Sequence, residues 1–146
     1  FDDDALNRLI ELSKGYPYFI QAYGSAAFDE SESSPIPLSA VIKGEPIAQA
    51  SLDSGLYESR WQRARPLERE YMRAMASLEK SVCSSAEIAE RLGRTPADVV
   101  RVRKGIIDSG LAYAPERGLL AFTVPGMGDF IRRAAPSEEQ TNDDRA

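Results

Sequence analysis

Residues 84–110, SSAEIAERLGRTPADVVRVRKGIIDSG, constrain the fold more than any other stretch of the chain. Ala89, Gly93 and Val99 stand at the spacing that two helices meeting at a tight turn require. A small side chain lies where the helices touch, Gly93 permits the turn, and Val99 anchors the second helix on the core. Ser84 followed by Glu87 is a capping-box signature and predicts a helix from there to Gly93. Thr95, Pro96 and Asp98 make a similar start for the next helix, which Gly110 ends. Two short apolar runs follow, 111–114 and 119–124, around Pro115, Glu116, Arg117 and Gly118. They predict a β-hairpin. A helix-turn-helix with a hairpin behind it is a winged-helix arrangement.

The remaining pattern is helical. Pro66 opens a helix in which Leu67, Tyr71, Met75 and Leu78 recur at helical spacing, and 125–133 reads as a closing helix with Met127, Phe130 and Ile131 packed inward. Near the N-terminus a helix is expected from about 4 to 14, with Leu6, Leu9 and Ile10 on one face. Gly15 stops it and Pro17 starts another reaching 28, with Phe19, Ile20, Tyr23 and Ala27 on its apolar side. DESESSPIP reads as an exposed loop. Ser39 then caps a short helix ending at Gly44, and Pro46 begins a longer one to about 63, with Ile47, Leu52, Leu56 and Trp61 inward. The expected fold is mainly α: a small helical bundle over 1–58, a winged helix-turn-helix with a β-hairpin wing over 59–135, and a disordered polar tail over 136–146.

Composition removes several kinds of chemistry. The chain has no histidine and one cysteine, Cys83, which excludes an internal disulfide, a zinc site of the usual ligands and Ser-His or Cys-His catalysis. A single thiol fits a reducing compartment, so a cytoplasmic protein is expected. No apolar run approaches the roughly 20 residues that span a bilayer. The net charge of -5 hides a segregation. Residues 1–58 carry three basic and ten acidic groups, whereas 59–133 carry fourteen basic and nine acidic. The basic excess coincides with the expected winged helix, and double-stranded DNA is the partner that excess suggests.

Placed on a helical wheel, Val99, Val100, Val102, Ile106 and Ile107 form one arc of the third helix, and Arg101, Lys104 and Asp108 lie opposite. Arg101 and Lys104 are therefore the candidates for a major groove, Arg94 for a phosphate before the helix, and Arg117 for a contact from the wing tip. Arg103 falls inside the apolar arc and is expected to pack its stem, with the guanidinium reaching an acid or a carbonyl. Arg132 and Arg133 are expected to favour a helix C-terminus. Asp98 and Asp108 repel phosphate and predict weak affinity.

GYPYFIQAYG at 15–24 resembles the Gly-x-Pro element in the lid of P-loop ATPases of the AAA+ and STAND kinds. RWQRARPLEREYMRAMASL at 60–78 and GIIDSGLAYAPERGLLAFTVPGMGDFIRR at 105–133 are similar to the C-terminal region of bacterial AAA-family ATP-binding proteins. The resemblance implies a lid followed by a winged helix, cut from a longer protein whose ATPase core precedes Phe1. It implies that Gly15, Tyr16 and Pro17 face the adenine side of a nucleotide, with Tyr16 and Tyr18 flanking it. ATP and Mg would belong to that parent, and a homo-oligomeric parent is compatible with it. No cofactor or metal is expected in this stretch itself, which lacks the G-x-x-x-x-G-K-[ST] loop. The lid arginine that many such ATPases aim at the γ-phosphate has no counterpart beside Pro17, since neither Arg8 nor Lys14 has the expected placement. The competing expectations are a winged helix used for protein contact or oligomerisation, and a stand-alone winged-helix regulator.

Overall fold

The computed structural model describes residues 1–134, so the tail expected over 136–146 lies outside the described residues. The architecture is mainly helical with one small antiparallel sheet, and the chain divides into two compact units, Phe1–Ser59 and Arg60–Ala146.

The first unit opens with α1 (Asp3–Ser13), whose orphan N-terminal donors meet the Asp2 carboxylate through the Ala5 N–H at 2.7 Å. Asp3 and Asp4 add negative charge to the positive end of the helix dipole. The helix ends where Lys14 and Gly15 both turn left-handed. Pro17, with its fixed φ and no N–H to lose, is the first residue of α2 (Pro17–Glu30). The buried stripes are Ala5 and Leu9 on α1 and Phe19, Tyr23 and Ala27 on α2. Leu6, Ile10 and Ile20, expected inward, are exposed, because the stripes repeat at four-residue steps and leave these positions on the flank.

α3 (Leu38–Leu52) overturns the expected break at Gly44 and Pro46. Gly44 is buried inside the helix, where a Cβ would stand 2.9 Å from the backbone of Ala26 and Ala27 on α2. The glycine is there for close helix–helix approach, not for a stop. Pro46 sits inside the same helix and deprives the Ile42 carbonyl of its partner, but both residues face outward, where water can serve that carbonyl. Ile47 is exposed for the same reason, while Leu52 is buried. A single π-helical turn, Asp53–Tyr57, follows, and Tyr57 meets Phe19 edge to face at 6.3 Å. α4 (Glu58–Arg63) comes next, and the division between the units falls within it.

In the second unit, α5 (Pro66–Ser77) begins with the Glu68 carboxylate accepting the Arg65 N–H at 3.0 Å. Tyr71, Met72 and Met75 face the core, whereas Leu67, expected with them, is exposed in the first turn. Trp61 lies under the guanidiniums of Arg69 and Arg73, at 5.6 and 5.0 Å. A two-residue strand, β1 (Cys83–Ser84), leads into α6 (Ser85–Arg91). The capping box is reciprocal: Ser84 Oγ accepts the Glu87 N–H at 3.1 Å, and Glu87 Oε2 accepts the Ser84 N–H at 3.0 Å. Gly93 at φ +67° takes the left-handed step after α6 that a Cβ would oppose.

The next helix starts later than its sequence signature suggests. The Asp98 carboxylate accepts both the N–H and the hydroxyl of Thr95, and Pro96–Val99 winds as a 3-10 turn. Only then does α7 (Val100–Asp108) begin. That change of winding carries Val100 out to solvent, whereas Val99 and Ile106 stay buried. The hairpin is shorter than expected, β2 (Ala112–Tyr113) and β3 (Leu119–Phe122). The strand order is β1-β3-β2, all antiparallel, with Cys83 opposite Leu120 and Ala112 opposite Phe122. α8 (Met127–Ala134) closes the unit, burying Met127, Phe130 and Ile131 as their spacing predicts.

Candidate nucleic-acid interface

Arg101 and Lys104 project from the exposed side of α7. Arg101 makes no side-chain hydrogen bond or ion pair among the described residues. Lys104 does: its ammonium bonds the Asp108 carboxylate one turn on at 2.6 Å, and that bond raises the lysine pKa above its ordinary value. The candidate groove-reading pair is thus one free guanidinium and one partly neutralised ammonium.

Arg94 is exposed in the turn between α6 and α7. It helps line a small cavity of about 60 Å³ with Leu67, Tyr71, Leu92, Asp98 and Val102. The Asp98 carboxyl is held below its usual range mainly by the Thr95 hydroxyl and N–H, with the Arg94 charge a lesser cause. Asp98 is therefore spent on the turn.

The hairpin turn is docked rather than loose. Ser85 at the start of α6 donates its N–H to the Gly118 carbonyl at 2.8 Å, and its hydroxyl accepts Arg103 Nε at 3.0 Å. Ser85 thereby links α7 to the hairpin and sets Arg117, exposed and next to Gly118, near the start of α6. The partly buried Arg103 packs as expected, but its partner is a hydroxyl rather than an acid or a carbonyl. Tyr71, fully buried, feels the same arginine; burial nonetheless raises its pKa above the ordinary phenol value.

One cation was not foreseen. Arg91, in the last turn of α6, is exposed and makes no side-chain bond among the described residues. Its position three residues before Arg94 was the available signal. Arg132, by contrast, is occupied: it donates to the Ala76 carbonyl at the end of α5 and pairs with Asp129. It does serve a helix C-terminus, though that of α5.

A family model described as a domain of unknown function (DUF8462) matches residues 54–131. The chain belongs to that family. The DUF8462 match runs from the π-helical turn into α8 and takes in Arg91, Arg94, Arg101, Lys104 and Arg117. Among curated proteins and among solved structures, nothing matches.

Gly15, Tyr16 and Pro17 lie in the first unit and precede the matched span. Gly15 is exposed at φ +73°, Pro17 is exposed, and Tyr16 is half-buried with its ring edge-on to Phe19 at 5.1 Å. The Tyr16 N–H bonds the Ser13 carbonyl at 2.8 Å, so this corner has a complete structural account as a helix–helix junction. Tyr18 is exposed beside it. Arg8 is engaged by Glu45 at 2.7 and 2.9 Å and by Glu11, contacts that raise its pKa and tie it to α3. Among the described residues no cluster of His, Cys, Asp or Glu could hold a metal, and no helix is long and apolar enough to cross a membrane.

Proposed function

We propose that the second unit is a winged helix that binds double-stranded DNA. In this proposal the chain is the non-catalytic C-terminal part of an AAA+-type ATP-binding protein, and nucleotide state in the parent governs the DNA contact. The observation that carries the DNA reading is the exposed, uncommitted arginines Arg94, in the turn before α7, and Arg101, on its outward side, with the hairpin turn tied to α6 and α7 through Ser85. The order α5, β1, α6, α7, β2, β3, with β3 central in the sheet, supports the winged-helix part. The nucleotide part rests on the resemblance of 15–24 to an ATPase lid and on the lid preceding the winged helix.

Titrating the chain with duplex DNA across salt concentrations tests this reading. Binding should be present at low salt and weaken steadily as salt rises. Absence of binding at low salt would leave the protein-contact reading in its place. That alternative draws on the Lys104–Asp108 pair and on the exposed Leu67 and Val100.

A further inference from the structure

We infer that this surface holds duplex DNA by its phosphates and is indifferent to base sequence; the inference rests on the DNA reading above and sharpens it. Sequence is read by side chains that match the donor and acceptor pattern of base edges, chiefly Arg, Lys, Asn and Gln, with Ser, Thr and the acids in support. The outward residues of α7 are Val100, Arg101, Lys104 and Asp108. Val100 offers no hydrogen bond, and Lys104 and Asp108 satisfy each other. Arg103, the other cation of α7, is turned to Ser85. The helix therefore presents a single uncommitted polar side chain, Arg101, which is too little to specify a site.

What remains is a set of guanidiniums for phosphate, three of them off α7: at the end of α6, in the turn after it and in the hairpin turn. Arg91, Arg94, Arg101 and Arg117 are exposed and form no side-chain hydrogen bond or ion pair among the described residues. Each phosphate neutralised contributes about -0.9 to the slope of log affinity against log salt, so four such contacts give about -3.6. Asp108 subtracts a fifth by holding Lys104.

The test measures affinity of the 146-residue chain for a random duplex pool, and for duplexes enriched from that pool by repeated selection on the chain, at several salt concentrations. Enriched and random duplexes should agree within a few-fold, with a slope of about -3 to -4. Arg101→Ala should weaken every duplex equally and reduce the slope by about 1. Asp108→Asn should release Lys104, tighten every duplex and steepen the slope by about 1. Both positions are exposed, and matching circular dichroism and melting curves establish that the variants fold. Enriched duplexes bound about 10³-fold more tightly than the pool would overturn the inference while leaving DNA binding intact. An Asp108→Asn slope equal to that of the parent chain would overturn the proposed role of the pair. No binding to any duplex at low salt is a different failure, removing the DNA reading and this inference with it.

Discussion

Gly44 and Gly24 separate two reasons for a glycine inside a helix. A Cβ on Gly44 would meet the backbone of Ala26 and Ala27 at 2.9 Å, and backbone cannot swing aside as a side-chain tip can. Gly44→Ala is therefore expected to destabilise the chain by about 1–3 kcal/mol, the usual cost of overpacking, despite the higher helix propensity of alanine. A Cβ on Gly24, within α2, meets nothing within 4 Å. Gly24→Ala should stabilise by about 0.5–1 kcal/mol through propensity alone. Urea unfolding of both variants checks the pair, and a stabilised Gly44→Ala would show that α2 and α3 do not approach this closely.

The capping box at the head of α6 is the element whose stability should follow pH most visibly. The Lys80 ammonium, and then the Ser84 N–H, hold the Glu87 carboxyl at about 2, against about 4.3 for a free side chain. A carboxylate depressed in this way contributes its full share above its unfolded pKa, and that share is lost as pH falls towards 2. The stability advantage of the parent chain over Glu87→Gln should hold constant above pH 5 and shrink between pH 4 and 2. Urea midpoints across that range measure it, and a difference that ignores pH would remove the Glu87 charge from the account, since a Gln can still accept the Ser84 N–H. This box was legible because its two partners are three residues apart in sequence, as were the helix ends at Gly15, Gly93 and Gly110. β1 was not legible. Two residues carry no periodicity, and Cys83 and Ser84 become a strand only because β3 pairs with them from 35 residues on. The helix break written by Gly44 and Pro46 failed for a related reason, since tertiary packing against α2 outweighed a local signal. On α7 the wheel correctly put Arg101 and Lys104 outward, but it could not show that Asp108 occupies the lysine or that Arg103 would find Ser85 on another helix.

Across the whole chain the charge is divided as sharply as the fold. The first 58 residues carry ten acids against three bases, and the cations proposed to meet DNA all lie beyond them. Both halves belong to one chain, so a polyanion meets its overall negative charge at low ionic strength, where the Debye length is about 30 Å at 0.01 M salt, and far less of it at 0.15 M, where it is about 8 Å. The acidic half should act as an electrostatic brake on association without any specific contact. Asp4, Asp29 and Glu32 are exposed in the first unit. Neutralising them together as Asp4→Asn, Asp29→Asn and Glu32→Gln removes three negative charges and no residue of the proposed interface. The triple variant should bind duplex DNA a few-fold more tightly than the parent chain at about 0.01 M salt, with the gain largely gone by about 0.15 M. Its folding is checked by melting, since Asp4 also complements the α1 dipole by about 0.3–1 kcal/mol. An equal gain at both salts would rule out a screened, long-range effect of those acids. No gain at low salt would mean that the acids of the first unit do not act on the DNA contact at all.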